Sequence, residues 1–264
     1  MFKTRRPPRI PGLSINKLIP NILTMLALCA GLTAIRFGLH GNWQAAVISI
    51  LVAAVLDGLD GRIARLLHAQ SKFGAELDSL SDFISFGVAP SMLLYLWTMQ
   101  TAGGLGWVLV LLFSVCMALR LARFNTMIGE PDLPAFAYNF FTGVPAPAAA
   151  GLVLLPMIVS FQTDASLFAS WPVNALFLVG VSFLMVSKIP TFSGKRSRLP
   201  HQYFLPLMLV VGLLAAGLVT APWTTLSVVE LLYLISIPIS VRAFSRLKRQ
   251  AEEMRGNEAE SVED

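Results

Sequence analysis

Cysteine, histidine and charge are all scarce in this chain. Among its 264 residues are only two cysteines and three histidines, which excludes a disulfide-stapled scaffold and gives no clustered ligands for zinc. Asp, Glu, Lys and Arg together make up 13% of the residues, roughly half of the share in an ordinary soluble domain. Disorder requires low hydrophobicity and high charge, so it is excluded for most of the length.

What the chain has instead is long apolar runs. Residues of the AVILMFWYC set make up 55% of it, and the mean hydropathy is +0.69. A helix of about 20 mostly apolar residues crosses the hydrocarbon core of a bilayer. The sequence therefore predicts an all-α integral membrane bundle of about eight transmembrane helices. The predicted segments are 18–38, 43–67, 75–99, 105–124, 140–161, 171–188, 203–221 and 224–243.

The basic residues predict which way these helices point. If the N-terminus lies in the cytosol, all but one of the 20 Lys and Arg residues fall on the cytosolic side, and Arg36 is the exception. The positive-inside rule then places both termini in the cytosol. We expect the protein to be integral to the cell (inner) membrane. We interpret the net charge of +5 as the result of basic residues at the cytosolic membrane surface, where they face anionic lipids. We expect no nucleic-acid partner. We divide the chain into a basic N-terminal segment (1–17), a transmembrane domain (18–243) and a polar cytosolic tail (244–264).

The few acidic residues are concentrated in one place. Asp57 and Asp60 share one helical face by their spacing, and so do Asp78 and Asp82 on the next segment. A short connection joins the two segments, so we expect antiparallel neighbours whose acidic faces meet near the cytosolic membrane surface. An unpaired Asp at the centre of a membrane helix costs about 2.5–3.5 kcal/mol. Four of them therefore require compensating cations.

The residue types around these aspartates indicate the chemistry. Hard carboxylate ligands without clustered Cys or His favour Mg²⁺, Mn²⁺ or Ca²⁺. Gly58, Gly61 and Gly74 leave the backbone open to close approach, and the planar fork of Arg65 suits a phosphate. The pattern indicates metal-assisted phosphoryl transfer on a diphosphate. A divalent-cation transporter is the alternative from another class, although its carboxylates usually lie near the bilayer midplane.

The stretch from Asp57 to Asp82 reads D-x-x-D-G-x-x-A-R-x8-G-x-x-x-D-x-x-x-D, and it resembles the signature of the CDP-alcohol phosphotransferases. The resemblance implies that Asp57, Asp60 and Asp78 hold two divalent metals, Mg²⁺ or Mn²⁺. It further implies that Asp82 completes the metal site and acts as the general base. Members of that family transfer a lipid phosphoryl group from a CDP-linked substrate to an alcohol and release CMP. The motif and a short first-helix motif imply a CDP-binding set: Asn21, Thr24, Gly61, Ala64, Arg65 and Gly74.

Three further stretches, 119–125, 141–150 and 186–195, resemble the membrane-integrated bacterial phosphatidylserine synthases. This implies CDP-diacylglycerol and L-serine as substrates, phosphatidylserine and CMP as products, and a homodimer. Glycerol phosphate, inositol phosphate or choline remains open as the acceptor. L-Serine needs a cation for its carboxylate and a hydrogen-bond acceptor for its ammonium, and for the basic candidates simple positive-inside anchoring is the alternative. The candidate serine-binding residues are Arg120, Arg123, Asn125, Lys195 and Arg196.

Overall fold

A computed structural model describes residues 15–127, 140–163, 166–192 and 204–263. Within these ranges the chain forms nine α-helices and one pair of short strands. The helices are α1 (Ile15–Leu39), α2 (Trp43–Leu66), α3 (Lys72–Asp82), α4 (Ala89–Trp97), α5 (Gly104–Met127), α6 (Ala146–Ser160), α7 (Trp171–Val186), α8 (Phe204–Thr220) and α9 (Pro222–Glu263). The strands are β1 (Phe140–Thr142) and β2 (Pro190–Phe192), and a π-helical turn, Phe83–Val88, joins α3 to α4.

The apolar segments predicted from the sequence are found as helices, and the chain is an all-α integral membrane protein apart from the two strands. Among the described residues, four helical stretches are long and apolar enough to cross a membrane: Leu18–Leu39, Lys72–Trp97, Gly104–Thr126 and Pro222–Leu247. Three further apolar helices, α6, α7 and α8, are shorter. The count of eight spans and the side on which each terminus lies stay predictions.

The expected start of the fifth helix is wrong. The sequence predicted a helix from residue 140, but β1 occupies its first positions and pairs antiparallel with β2, with Phe141 opposite Thr191. Gly143 then takes a positive φ of 81°, and Pro145 is extended at the N-cap of α6. A left-handed residue followed by an extended proline cannot continue a right-handed helix, so α6 begins only at Ala146.

Helix α1 packs against both helices that carry the aspartates. It packs extensively against α2 and also against α3, the π-helical turn and α4. Two serine hydroxyls bind its carbonyls one turn apart, from Ser81 to Thr24 O at 3.1 Å and from Ser85 to Ala27 O at 3.2 Å. One turn further on, a Cβ at Gly31 would lie 2.7 Å from Ser85 Cα. The glycine therefore permits the close approach that fixes α1 against the acidic helices.

The helices differ in how much of their surface is buried. Fully buried side chains come mainly from α4, α5, α6 and α7, for example Leu93, Phe113, Leu154 and Met185. Helix α8 has no buried residue, and α9 continues as a helix to Glu263, beyond the end predicted at residue 243. An apolar helix without buried residues is expected to face lipid.

Candidate metal and nucleotide site

Three aspartates from α2 and α3, two helices that both pack against α1, lie close together. Asp57, Asp60 and Asp78 each offer a carboxylate oxygen, and these oxygens lie within 4.8 Å of one another. Asp60 is buried, with 5% of its surface exposed, whereas Asp57 and Asp78 are half-buried. Three carboxylates at this spacing repel one another, and oxygen ligands so arranged fit a hard divalent cation. The donor set therefore matches the predicted metal site.

Asp82 joins this cluster through Asp57. It lies one helical turn beyond Asp78 on α3, and its carboxylate is within hydrogen-bonding reach of the Asp57 side chain. The group of three carboxylates described above does not include it. Asp82 is thus beside the candidate metal ligands and on the side of Arg120.

A threonine from the first helix orients the buried aspartate. Thr24 Oγ1 donates a hydrogen bond of 2.5 Å to Asp60 Oδ2, and Thr24 itself is 5% exposed. The sequence predicted Thr24 as a nucleotide-pocket residue but did not predict this bond. Because Asp60 is buried, the bond satisfies one of its lone pairs and holds the carboxylate in one orientation.

A pocket of about 480 Å³ opens beside the aspartates, within the size range of small-molecule sites. Its wall is formed by α1, α2, α3 and the connection between α2 and α3. Asp60 and Asp78 belong to this wall, so the pocket adjoins the candidate metal site. The six predicted CDP-binding residues all line it: Asn21, Thr24, Gly61, Ala64, Arg65 and Gly74.

The two pocket glycines have different reasons to be glycine. A Cβ at Gly61 would have no neighbour within 4 Å, so this position faces open space in the pocket. A Cβ at Gly74 would lie 3.0 Å from Asn21 Oδ1 and 3.1 Å from Ser71 Oγ, so this position is restricted by the protein itself. Arg65 is exposed on the wall, and its Nε donates to the carbonyl of Gly61 at 3.0 Å. That bond ties the Arg65 guanidinium to the backbone of the pocket wall.

Arg120 lies on the other side of Asp82. Its Nε donates to Val144 O at 2.7 Å, and its Nη1 is buried without a hydrogen-bond partner among the described residues. Asp82 and Asp57 are the acidic groups that face it. A buried guanidinium with an unused donor next to the candidate metal ligands is suited to binding an anionic part of a ligand.

Arg123, one turn further along α5, uses its donors within the protein. Its guanidinium donates to Val186 O at 2.8 Å, and to Thr142 O and Ser187 O at 3.2 Å each. These carbonyls belong to the end of α7 and to β1. Arg123 therefore donates hydrogen bonds to carbonyl groups that the helix and the strand leave without a partner.

Of the other predicted serine-binding residues, the structure describes Asn125. Asn125 donates from Nδ2 to Ser79 Oγ at 2.9 Å, which joins α5 to α3 between Asp78 and Asp82. Lys195 and Arg196 lie outside the described residues. The bond to Ser79 was not predicted, because nothing in the sequence pairs two polar residues so far apart.

Residues 17–186 match the family described as CDP-alcohol phosphatidyltransferase. The chain belongs to this family. The resemblance found in the motif is thereby confirmed, and the match includes the candidate metal site and the pocket. A second match, to the family described as CDP-alcohol phosphatidyltransferase 2, covers residues 202–238, which include α8 and part of α9.

Several curated relatives of this CDP-alcohol phosphatidyltransferase carry names that state an acceptor. The chain is 41% identical over 227 residues to the CDP-diacylglycerol–serine O-phosphatidyltransferase of Mycobacterium tuberculosis, covering 86% of this chain and 79% of the relative. It is 35% identical over 224 residues to the enzyme of the same name from Helicobacter pylori, covering 83% and 88%. The archaetidylserine synthase of Methanothermobacter thermautotrophicus is 35% identical over 179 residues, covering 65% and 68%.

Proposed function

We propose that this protein transfers the phosphatidyl group of CDP-diacylglycerol to the hydroxyl of L-serine, giving phosphatidylserine and CMP. The observation that carries the proposal is the continuity of the site. The carboxylate cluster adjoins a pocket lined by the whole predicted CDP-binding set, and the unused donor of Arg120 lies beyond it. Relatives at 35–41% identity bear the name of this reaction.

The four aspartates are proposed to hold two divalent cations, Mg²⁺ or Mn²⁺. Asp57, Asp60 and Asp78 supply the clustered oxygens, and Asp82 completes the set through its contact with Asp57. When bound, the ions supply stabilisation of the negative charge that develops on the departing CMP. Thr24 contributes by holding Asp60 in the orientation that its hydrogen bond fixes.

On the donor side, the pocket orients the nucleotide. Arg65 lies at its edge and binds the diphosphate with its guanidinium, while the open space at Gly61 allows the substrate to contact the backbone. The cytidine occupies the remainder of the pocket between α1 and α3, next to Asn21 and Gly74. The acyl chains stay in the lipid, so CDP-diacylglycerol enters sideways from the inner leaflet.

On the acceptor side, Asp82 removes the proton from the serine hydroxyl. The serine oxygen forms a bond to the phosphorus that carries the diacylglycerol, and the bond from that phosphorus to the bridging oxygen of CMP breaks. Arg120 binds the serine carboxylate with its unused Nη1. Arg123 and Asn125 hold this side in place through their bonds to backbone and Ser79, and Lys195 and Arg196 remain predicted contributors.

The cellular setting follows from the same proposal. The Lys and Arg bias supports an active site on the cytosolic face of the inner membrane, where a water-soluble acceptor meets a lipid substrate. We propose that the protein works there as a homodimer among the membrane lipids. Chemical crosslinking in native membranes measures this directly, and a purely monomeric product would contradict it.

The reaction is tested by supplying purified, detergent-solubilised protein with labelled CDP-diacylglycerol, Mn²⁺ and one alcohol at a time. We expect CMP release with L-serine, and little with glycerol phosphate, inositol phosphate or choline. Chelation of the metal with EDTA should stop the reaction, and added Mn²⁺ should restore it. Release with one of the other alcohols instead of serine would change the acceptor, and no release with any alcohol would remove the enzymatic proposal.

The role of Asp82 is tested by Asp82→Asn. Since a positioned general base contributes about 10²- to 10⁴-fold, turnover should fall by that order while CDP-diacylglycerol binding remains. Glu76→Gln is a matched control, because Glu76 is an exposed acid on the same helix and its removal should leave turnover unchanged. Full activity of Asp82→Asn would rule out the base role.

A further inference from the structure

A second cavity, with no lining residue in common with the nucleotide pocket, lies between α2, α6 and α9. Its volume is about 230 Å³, and all of its lining residues except Glu230 of α9 are apolar side chains or glycine. Leu51, Ala148 and Leu226 of this lining are half-buried, so the cavity opens at the outer surface of the helices, which faces lipid. An apolar cavity that opens to lipid suits a hydrocarbon chain.

The carboxyl group of Glu230 is held in the wall of this cavity. A Cβ at Gly151 of α6 would lie 2.5 Å from the carboxyl carbon, so the glycine makes room for the carboxyl between the two helices. Oε2 is buried and has no hydrogen-bond partner among the described residues. The Tyr233 hydroxyl, one turn further along α9, has Thr191 as its hydrogen-bonding neighbour. Glu230 is therefore a polar group of the cavity with unused capacity for hydrogen bonding.

The surroundings of Glu230 favour the neutral acid over the carboxylate. No Lys, Arg or His in the described part of the chain lies close enough to act on this carboxyl. An ionised carboxylate among apolar groups without a cation is very costly, and the neutral acid is much less so. The neutral acid has an O–H to donate, so the partner that it lacks is a hydrogen-bond acceptor. The acceptor that an acyl chain carries is the carbonyl oxygen of its ester.

The cavity begins close to the candidate metal site. Ala54, which lines one end of it, precedes Asp57 by about one helical turn on α2. From Ala54 the lining continues along α2 to Val47, over about 10 Å, and along α6 it extends from Pro147 to Ile158, over about 16 Å. Only a few bonds of the glycerol separate the ester carbonyl of a diacylglycerol from its phosphorus. A lipid whose phosphate is bound at the aspartates therefore brings an ester carbonyl and the first carbons of an acyl chain to this cavity.

We infer that the cavity between α2, α6 and α9 binds the ester-linked end of one acyl chain of CDP-diacylglycerol, and that Glu230 donates a hydrogen bond to the ester carbonyl. This inference rests on the proposed function and adds a lipid-binding residue to it, while the rest of the acyl chain continues into the lipid. An ether-linked donor lacks the carbonyl and leaves the Glu230 proton without its acceptor. The site therefore selects ester-linked over ether-linked donors.

The inference is tested with two donors of equal chain length in detergent micelles, CDP-diacylglycerol and its ether-linked analogue CDP-dialkylglycerol. Both have the same diphosphate, so the bonds that form and break are identical. For wild type we expect a KM about 3- to 10-fold lower for the ester donor, which corresponds to one neutral hydrogen bond. Glu230→Leu should raise the KM of the ester donor until the two are equal. Glu230→Gln retains an N–H donor and should keep most of the preference, and the KM for L-serine should stay close to wild type in both variants.

Ser227→Ala is the matched control on the same helix. Ser227 lies about one turn before Glu230 and outside the cavity, and it accepts a hydrogen bond from Gln162 Nε2 at 3.0 Å. Its loss weakens the contact between the end of α6 and α9, so it should lower the thermal unfolding temperature and leave the ratio of the two KM values unchanged.

Equal KM values for the two donors in wild type, or an unchanged preference in Glu230→Leu, overturn the inference, while CMP release with serine still supports the proposed function. Equal losses for both donors in Glu230→Leu together with a lower unfolding temperature also overturn it, because they show a structural role. If wild type releases no CMP with serine, the proposed function fails and the inference fails with it.

Discussion

The proposed donor side and the proposed acceptor side of the site are built in different ways. The donor pocket is formed by three helices and one connection that are close together in the chain, from Pro20 to Asp78. The proposed acceptor side combines Arg120 of α5, the turn at Gly143 and Val144, and Thr191 of β2. One side is therefore local in sequence and the other is assembled from distant segments.

The difference shows how each side is held. On the donor side, helical spacing places Asp57 next to Asp60, and the Ser81 and Ser85 hydroxyls fix α1 in contact with α3 and the π-helical turn. On the acceptor side, the backbone N–H and C=O groups outside the helices must find hydrogen-bond partners within the protein. Arg120 and Arg123 do this by donating to carbonyls at the ends of β1, α6 and α7. Both arginines therefore have a structural role, and the substitutions below separate it from the substrate-binding role proposed for Arg120.

Arg120→Gln should have the largest effect. Loss of a buried charged partner predicts a KM for L-serine raised by about 100-fold or more, while binding of CDP-diacylglycerol stays close to wild type. Steady-state kinetics with each substrate varied in turn measure the two effects. Arg123→Gln is the comparison variant: it removes the bonds to Val186, Thr142 and Ser187 and should mainly lower the unfolding temperature. If Arg120→Gln weakens both substrates equally, the two sides are not separate.

Thr24→Val should have an intermediate effect on the opposite side. Loss of the 2.5 Å bond to Asp60 predicts a KM for CDP-diacylglycerol raised by about 10-fold, with the KM for serine unchanged. Thr33→Val is a matched control, because Thr33 is on the same helix and donates only to Cys29 O one turn earlier. A wild-type KM for CDP-diacylglycerol in Thr24→Val would contradict the role given to this bond.

Gly31→Ala should have the smallest effect on activity. Its Cβ would lie 2.7 Å from Ser85 Cα, so α1 must move away from the π-helical turn. Overpacking of this kind predicts a loss of about 1–3 kcal/mol in the free energy of unfolding, with a few-fold loss of activity through Thr24. Thermal unfolding in detergent measures the first effect. Gly180→Ala is the control, since a Cβ at Gly180 meets nothing within 4 Å; equal unfolding temperatures for the two variants would show that α1 is not tightly fixed.

The donor side could be predicted from sequence because its geometry is mostly local. The spacing of Asp57, Asp60 and Asp78 along two helices joined by a short connection is enough to bring them together. The six motif residues likewise line one pocket. The bond from Thr24 to Asp60 could not be predicted, because it depends on how α1 lies against α2.

For the acceptor side, the sequence predicted which types of residue would be present but not which of them would keep unused hydrogen-bond donors. Basic residues at helix ends occur in every membrane protein with a positive-inside bias, so their sequence could not separate Arg120, with its unused donor, from Arg123, whose donors are occupied. The two strands were missed because each has only three residues, too few for a periodic pattern.

By itself, the sequence determined that this protein is an all-α membrane protein with a carboxylate cluster built on two successive helices. Hydrophobic length and helical periodicity act over a few turns, and a reader of the sequence needs nothing else. Only the tertiary structure decided which donors remain unused and which residues face them. That depends on how α5, α9 and the strand pair pack against one another. Packing between segments that are distant in the chain produces no local pattern in the sequence.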